Sequence, residues 1–260
     1  MPPQHTPNWQ LPSGVSRGLW DYTHSRSIAE DYDDTFALNS LFEHDERVLN
    51  EVFQPPGLVA DLGCGTARAL IPLVRDGHLG LAIDLSQHML RVVREKVRLA
   101  DLPIDCLQAN LVELDAVRDD SVDHAMCLFS TLGMIRGRRC RRQALAHVRR
   151  ILKPTGHFVL HVHNYWYNLR DPGGPTWLAK NLLSAPFSRD VEIGDKWFPY
   201  RGLSRMFLHV FRWRELADDL QSAGFNIKKR IALDAPRRQP LRWPWLFGTV
   251  RTNGWIVVCQ

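Results

Sequence analysis

Cysteine is sparse: five residues, at 64, 106, 127, 140 and 259, odd in number and with no C-x-x-C pair. That usage argues against a disulfide framework and against a zinc site, so no metal is expected and a reducing cytoplasm is the simplest home. No run approaches the ~18 apolar residues that a membrane span needs, and no membrane partner is expected. The opening, Met1-Pro2-Pro3-Gln4-His5-Thr6-Pro7, lacks the basic-then-apolar pattern of a secretory leader. No internal repeat is present, and no low-complexity stretch beyond the first residues. Nor does any compact set of nucleophile, base and orienting acid stand out.

The 260 residues are enough for one large α/β domain with a small appendage. A hydrophobic fraction of 45% is ordinary for a globular chain. The net charge of +5, mostly from arginine, permits an anionic partner without demanding one. Its sharpest local expression is Arg136-Gly137-Arg138-Arg139-Cys140-Arg141-Arg142.

After a tail expected to be disordered over 1–16, residues 19 to 53 show helical spacing at Ile28, Phe36, Leu38, Leu41, Phe42, Val48, Leu49 and Phe53. Pro55-Pro56-Gly57 ends that segment. Strand and helix patterns then alternate. Strands are predicted at 58–62, 79–83, 104–108, 123–129 and 157–162, with helices at 67–75, 86–99 (Ser86 as N-cap) and 139–152. From 164 to 204 the pattern breaks into a Trp-, Pro- and Gly-rich stretch, predicted as an irregular insertion or lid. A helix at 213–223, closed by Gly224, and strands at 225–233 and 254–259 complete the chain. Such alternation implies a doubly wound, Rossmann-like sheet whose ligands sit outside the carboxyl edge of the strands. The expected divisions are a tail (1–16), an N-terminal helical cap (17–54), a nucleoside-binding core (55–163), an insertion (164–204) and an αββ completion of the core (205–260).

The most informative stretch is Val59-Ala60-Asp61-Leu62-Gly63-Cys64-Gly65-Thr66-Ala67-Arg68. It reads as a strand entering a glycine turn before a helix, and Asp84 closes the next strand. Glycines let backbone approach a nucleoside-bearing ligand, and a carboxylate about twenty residues on suits ribose hydroxyls. Further blocks follow in order: Ala82-Ile83-Asp84-Leu85-Ser86 with Met89-Leu90, then Leu107-Gln108-Ala109-Asn110-Leu111, then Val148 to His157 around Leu152-Lys153-Pro154-Thr155-Gly156.

Together these blocks resemble the class I S-adenosylmethionine-dependent methyltransferases, closest to the broad small "type 11" group. The resemblance implies a seven-stranded sheet of order 3-2-1-4-5-7-6 with the last strand antiparallel. It implies S-adenosylmethionine as methyl donor and S-adenosylhomocysteine as product. On it, Asp84 takes the ribose hydroxyls, Gly63, Cys64 and Gly65 pass the methionine part and ribose, and Asp61 lies near the α-ammonium. Leu85, Met89 and Leu111 flank the adenine, and the carbonyl of Asn110 accepts from its amino group where relatives often carry an acid. Ser130 lies where the chain passes the methionine moiety, and Tyr32 resembles an aromatic that many relatives place over the cofactor. Ala67 stands where the family often has a third glycine.

The acceptor is less legible. His163 and Asn164, at the end of the fifth strand, are candidates to touch substrate or serve as base. His157, His161 and His163 share one strand face and equally suit ordinary packed histidines. Tyr165, Trp166, Tyr167, Trp177, Trp197 and Trp213 are candidates for an acceptor pocket, against the commoner role of aromatics as core. The arginine cluster reads either as an anion grip or as a solvated helix face. A small-molecule acceptor is expected first. Phe207 to Leu216 and Gly254 to Val258 also resemble parts of tRNA wobble-uridine methyltransferases, which makes tRNA the alternative acceptor. A nicotinamide dehydrogenase fits less well, because Arg68 occupies the place of its third glycine. A non-catalytic protein on the same fold is the alternative from another class.

Overall fold

The computed structural model describes residues 6–33, 41–188 and 190–260. Nine strands form among them: β1 (Leu58–Leu62), β2 (Leu79–Asp84), β3 (Ile104–Gln108), β4 (Val122–Cys127), β5 (Leu152–His163), β6 (Asp195–Tyr200), β7 (Leu203–His209), β8 (Ile227–Ala232) and β9 (Gly254–Cys259). β6 and β7 pair as a separate hairpin. The other seven make one sheet of order β3-β2-β1-β4-β5-β9-β8, in which β9 runs antiparallel to both neighbours. With β8 and β9 as sixth and seventh core strands, this is the order and polarity expected.

Side-chain alternation divides the core between the two faces of the sheet. Ala60, Leu62, Phe158, Leu160 and Val162 join the cluster under the helices Arg138–Ile151 and Trp213–Ser222. Val59, Met126 and Val159 join the opposite cluster with Leu49, Leu70 and Leu90 from the helices on the other face. Each large side chain so buried contributes roughly 1.5–3 kcal/mol. Helix ends follow the sequence signals. Ser86 caps the helix Gln87–Ala100 by accepting from the Met89 amide at 3.4 Å. Gly224, with φ +90°, follows the helix Trp213–Ser222.

Four expectations change. The helix after the glycine turn starts at Leu70 rather than Ala67, because Ala67 is buried in the left-handed region at φ +61° and cannot begin a helix. Of the expected tail, residues 1–5 lie outside the described residues, as do Phe36 and Leu38. Residues 13–16, by contrast, are part of the folded body. Val15 and Ser16 are buried, the Ser13 carbonyl accepts from Asn110, and the Gly14 carbonyl accepts from the Arg136 amide.

The stretch expected to be irregular also carries regular elements: a 3₁₀ helix Tyr165–Arg170, a helix Gly174–Ser184 and the β6–β7 hairpin, whose second strand crosses the 204/205 division. Gly174 and Pro175, read as breakers, instead open that helix, where proline's missing amide costs nothing. The hairpin lies against the helix Arg17–Thr23 at Gly18, where a Cβ would stand 2.0 Å from the Arg205 carbonyl oxygen.

Of the arginine cluster, Arg141 is internal, Arg138 is half-buried, and Arg136, Arg139 and Arg142 are exposed. Arg141 is fully buried, with its guanidinium 2.5 Å from Glu192, 3.3 Å from His209 and 3.5 Å from Glu215. Arg138 and Arg142 converge on Asp219 at 2.9 and 2.6 Å. The two ring nitrogens of His209 face Asp195 and Glu215, each at 2.8 Å. Burial opposes the charge on Glu215, yet His209, Arg141 and Arg212 hold its pKa below the ordinary value. Glu192, Asp195 and His209 group as cation ligands would, and the Arg141 guanidinium supplies positive charge to them. Arg141 therefore ties the hairpin to the core helices, while Arg138 and Arg142 tie the helix Arg138–Ile151 to the helix Trp213–Ser222. The segments resembling tRNA enzymes are core as well: Phe207, Phe211 and Leu216 are buried, as is all of β9.

Candidate active site

β1 delivers Asp61 and then the glycine turn to the carboxyl edge of the sheet. Gly63 and Gly65 adopt φ +77° and +52°, a region that costs other residues strain. At Gly63 a Cβ would also stand 2.3 Å from the Thr131 methyl. The Gly63 and Cys64 amides both donate to the Ile83 carbonyl, at 2.8 and 3.0 Å, which locks the turn to the end of β2.

Asp84 faces that turn. One carboxylate oxygen accepts from the Gly65 amide at 2.9 Å and the other from the Ser86 amide at 2.7 Å. Burial pushes its pKa up to about 6, with backbone hydrogen bonds from Ser86, Gly65 and Leu85 working against the shift. Asp61 is 4% exposed, and its carboxylate has no hydrogen-bond partner among the described residues. Burial, reinforced by the charge of Asp84, pushes Asp61 up to about 8.

Both carboxylates open into one cavity. Its walls include Tyr32, Gly63, Cys64, Gly65, Leu85, Met89, Asn110 and Leu111, and Gly14, Val15 and Leu19 of the N-terminal segment cover it. These residues fit S-adenosylmethionine. An unpartnered buried carboxylate suits an ammonium, an oriented one suits a diol, and Leu85, Met89 and Leu111 offer apolar contact for a purine ring. Asn110 lines the cavity, but its amide is already engaged. It donates to the Ser13 carbonyl at 2.9 Å and accepts from the Val112 amide at 3.2 Å, which leaves one lone pair for a ligand.

Ser130 does not line this cavity, although its neighbours Phe129 and Thr131 do. It is fully buried at φ +63°, so its side chain turns away from the cavity. Its hydroxyl accepts from the His163 amide at 2.9 Å and lies 2.6 Å from His163 Nδ1.

A second cavity adjoins the first, and Tyr22, Tyr32, Phe129 and Met134 belong to both. Its remaining walls are Tyr167, Phe198, Tyr200, Met206, Leu208 and Val210, with His163, Asn164, Asn168, Asp171, Lys196, Arg237 and Asn253 as the polar groups. Of the acceptor-side candidates, His163, Asn164 and Tyr167 reach it. The imidazole of His163 is committed. An Arg237 guanidinium N–H donates to Nε2 at 2.6 Å, so the proton sits on Nδ1 and points to Ser130. Burial, with Arg237 second, holds the His163 pKa well below the ordinary value. Asn164 donates to the Thr249 and Thr252 carbonyls, both at 2.7 Å, and accepts from the Trp166 amide at 3.1 Å, so it braces loops.

Tyr165 is fully buried against Leu178 and Val210. Trp166 lines a different depression beside Trp213 and Arg212, and Trp197 packs edge-on against Phe207. Of the other rings that wall the second cavity, Tyr167 was among the aromatics named from sequence, whereas Tyr22, Phe198 and Tyr200 were not singled out. Lys196, held by Asn168 and Asp171 at 2.6 and 3.2 Å, was not singled out either. Tyr167 sat in the aromatic-rich insertion and Arg237 in the arginine-rich link before β9. Nothing in the primary pattern distinguished them from neighbours.

A Rossmann-like sheet of this strand order with an acidic, glycine-lined cleft at its carboxyl edge is the architecture of a nucleoside-binding protein. Comparison with known proteins takes this further. Residues 59–156 match the model of a methyltransferase domain. A demethylmenaquinone methyltransferase of Listeria welshimeri is 29% identical over 184 residues, 67% of this chain and 72% of that one. A relative from Geobacillus sp. (strain WCH70) is matched over 106 residues, 41% of this chain and only 42% of its own length, at 27% identity.

Among solved structures, a SAM-dependent methyltransferase from Methanosarcina mazei superposes with TM-score 0.65 at 19% identity, covering 82% of this chain and 96% of that one. The Burkholderia thailandensis 1,6-didemethyltoxoflavin-N1-methyltransferase, solved with 1,6-didemethyltoxoflavin and S-adenosylhomocysteine, gives 0.62 at 15%, covering 96% and 92%. The structural likenesses establish the fold. Together with the domain match, confined to residues 59–156, they support a class I S-adenosylmethionine-dependent methyltransferase.

Proposed function

We propose that this enzyme methylates a small planar acceptor carrying an ionised oxygen. The donor occupies the cavity of Asp61 and Asp84, and the acceptor the adjoining aromatic cavity. In this reading Asp84 holds the ribose diol, Asp61 the α-ammonium, and Leu85, Met89 and Leu111 the adenine. The donor supplies an activated methyl on a sulfonium: the acceptor oxygen's electron pair forms the new C–O bond while the C–S pair returns to sulfur as a neutral thioether.

The protein's own part is alignment and exclusion of water. Tyr22, Tyr32, Phe129 and Met134 stand on the boundary between the two cavities and set the line of approach. One observation carries the acceptor's chemistry. Arg237 brings a guanidinium into the aromatic cavity, and its only hydrogen bond among the described residues is to the neutral His163 ring. No described carboxylate lies within ion-pair distance of it. Desolvation of that cation is strong enough to lower its pKa. An anionic group on the acceptor compensates that cost through a charge-assisted, bidentate contact. The same contact keeps an acidic hydroxyl deprotonated, so a dedicated base is unnecessary. His163, with Nε2 occupied, positions Arg237.

Incubation with methyl-labelled donor and fractionated cell extract tests this reading. Label is expected in small aromatic acids or phenols, and label confined to RNA or protein refutes it.

A further inference from the structure

From residue 235 to residue 260 the chain contains four arginines and no aspartate or glutamate. Within this segment Trp243, Trp245 and Phe247 are 51%, 80% and 75% exposed. The turn that displays them is built. Trp243 and Phe247 hold left-handed φ values of +55° and +49°, and the Arg251 guanidinium donates to the carbonyls of Arg242, Trp243 and Leu246 at 3.2, 3.3 and 2.9 Å. The Arg242 guanidinium stacks 4.2 Å over the Trp243 ring. Polar cross-links therefore hold large rings outward, where a water-facing loop would fold them in.

The display continues on adjoining elements. The short helix Gly248–Arg251 packs on the 3₁₀ helix Tyr165–Arg170, which packs in turn on the helix Gly174–Ser184. From these last two and the turn that follows, Leu169, Leu183 and Phe187 project at 42%, 72% and 91% exposure. Exposed large apolar side chains concentrated this way mark an interaction surface. Of these elements the 3₁₀ helix borders the acceptor cavity, through Tyr167 and Asn168, and Arg237 and Asn253 of the same cavity flank the turn in sequence.

We propose that the 243–247 turn and the apolar side chains beside it seat this enzyme on the surface of a bilayer containing anionic lipid, with the acceptor cavity opening toward that surface. The chemistry matches an interfacial, non-spanning contact: tryptophan and phenylalanine at the depth of the glycerol backbone, and Arg238 and Arg242 at the headgroups. The rings protrude, as insertion requires, and line no groove that would receive a partner's helix. Docking of a second copy through the same turn would bring Arg238 and Arg242 of both copies together, a like-charge contact that disfavours it. The inference does not depend on which atom of the acceptor is methylated.

The test is co-sedimentation of the full chain with vesicles of phosphatidylcholine alone and of phosphatidylcholine with phosphatidylglycerol. Binding is expected to the second, with a blue shift of tryptophan emission and weakening as salt rises. Trp245→Ser with Phe247→Ser is expected to lower partitioning roughly a hundredfold, about tenfold per ring. Arg238→Gln and Arg242→Gln should each remove roughly fivefold from the anionic preference. S-adenosylmethionine affinity, read by calorimetry on the ring variant, should stay at the wild-type value, since the turn lies outside the cofactor cavity; a loss there would speak to folding or to the donor site. Equal recovery in the supernatant with both vesicle types overturns the proposal. So does undiminished binding by the folded ring variant, or a self-associating species in sedimentation velocity that the ring variant abolishes.

Discussion

Binding of S-adenosylmethionine should expel a proton. At pH 7 a carboxyl with a pKa of about 8 is protonated ten times in eleven, so Asp61 carries about 0.9 proton before the ligand arrives. Asp84, at about 6, carries about 0.1. An ammonium against Asp61 and a diol on Asp84 both demand the carboxylate form. The pair therefore releases about one proton at pH 7, as a coupled unit.

Apparent affinity then rises about tenfold per pH unit between 6 and 8, more steeply below 6 where both groups must ionise, and flattens above 8. Calorimetry at pH 7 in two buffers of different ionisation enthalpy measures the proton directly. 5′-Methylthioadenosine, which has the ribose but no ammonium, should release far less. Asp61→Asn should bind more weakly and abolish the buffer dependence. A binding heat identical in both buffers, or a full proton released by Asp61→Asn, would refute the reasoning. The unliganded protein carries the same signature with the sign fixed. Both carboxyls hold protons more tightly folded than unfolded, so their contribution to stability is present near pH 4 and is lost as pH rises toward 8.

Three further outcomes are expected. Asp84→Ala removes two charge-assisted contacts to the ribose and should weaken donor binding roughly a hundredfold by calorimetry, with Asp84→Asn intermediate. Arg237→Ala should raise the acceptor KM about tenfold or more and leave donor affinity unchanged, while Arg237→Lys recovers part of it; steady-state kinetics with each substrate varied separates the two. Arg141→Ala strands Glu192, Glu215 and the His209 ring around a buried gap and should cost about 3–5 kcal/mol in denaturant unfolding.

The donor half of the site was legible because its chemistry is local in sequence. Asp61, Gly63 and Gly65 lie within five residues of one another, and a strand followed by a turn carries them to the sheet edge whatever the rest of the chain does. Asp84 follows on the next strand, where parallel pairing of β1 and β2 aligns the two carboxyl ends. Ser130 escaped that logic. It shares the right loop, but a left-handed φ rotates its hydroxyl toward His163 instead of the cavity. The acceptor half was not legible for a related reason. Tyr22, Tyr167, Phe198 and Arg237 come from four separate segments, and aromatic content alone cannot tell Tyr165, sealed against Leu178, from Tyr167, two residues on and facing the cavity.

Period and spacing were enough to dictate the sheet, its helices and the nucleoside-binding turn, since backbone geometry converts those patterns into structure one element at a time. Which arginine is neutralised and which faces a substrate followed no such rule. Arg141 vanished into a ring of carboxylates supplied by residues 51 to 74 positions away, while Arg237, with no described acid within ion-pair distance, met a histidine 74 positions back. Charge compensation is settled by through-space distance, and distance of that kind exists only after the chain has packed.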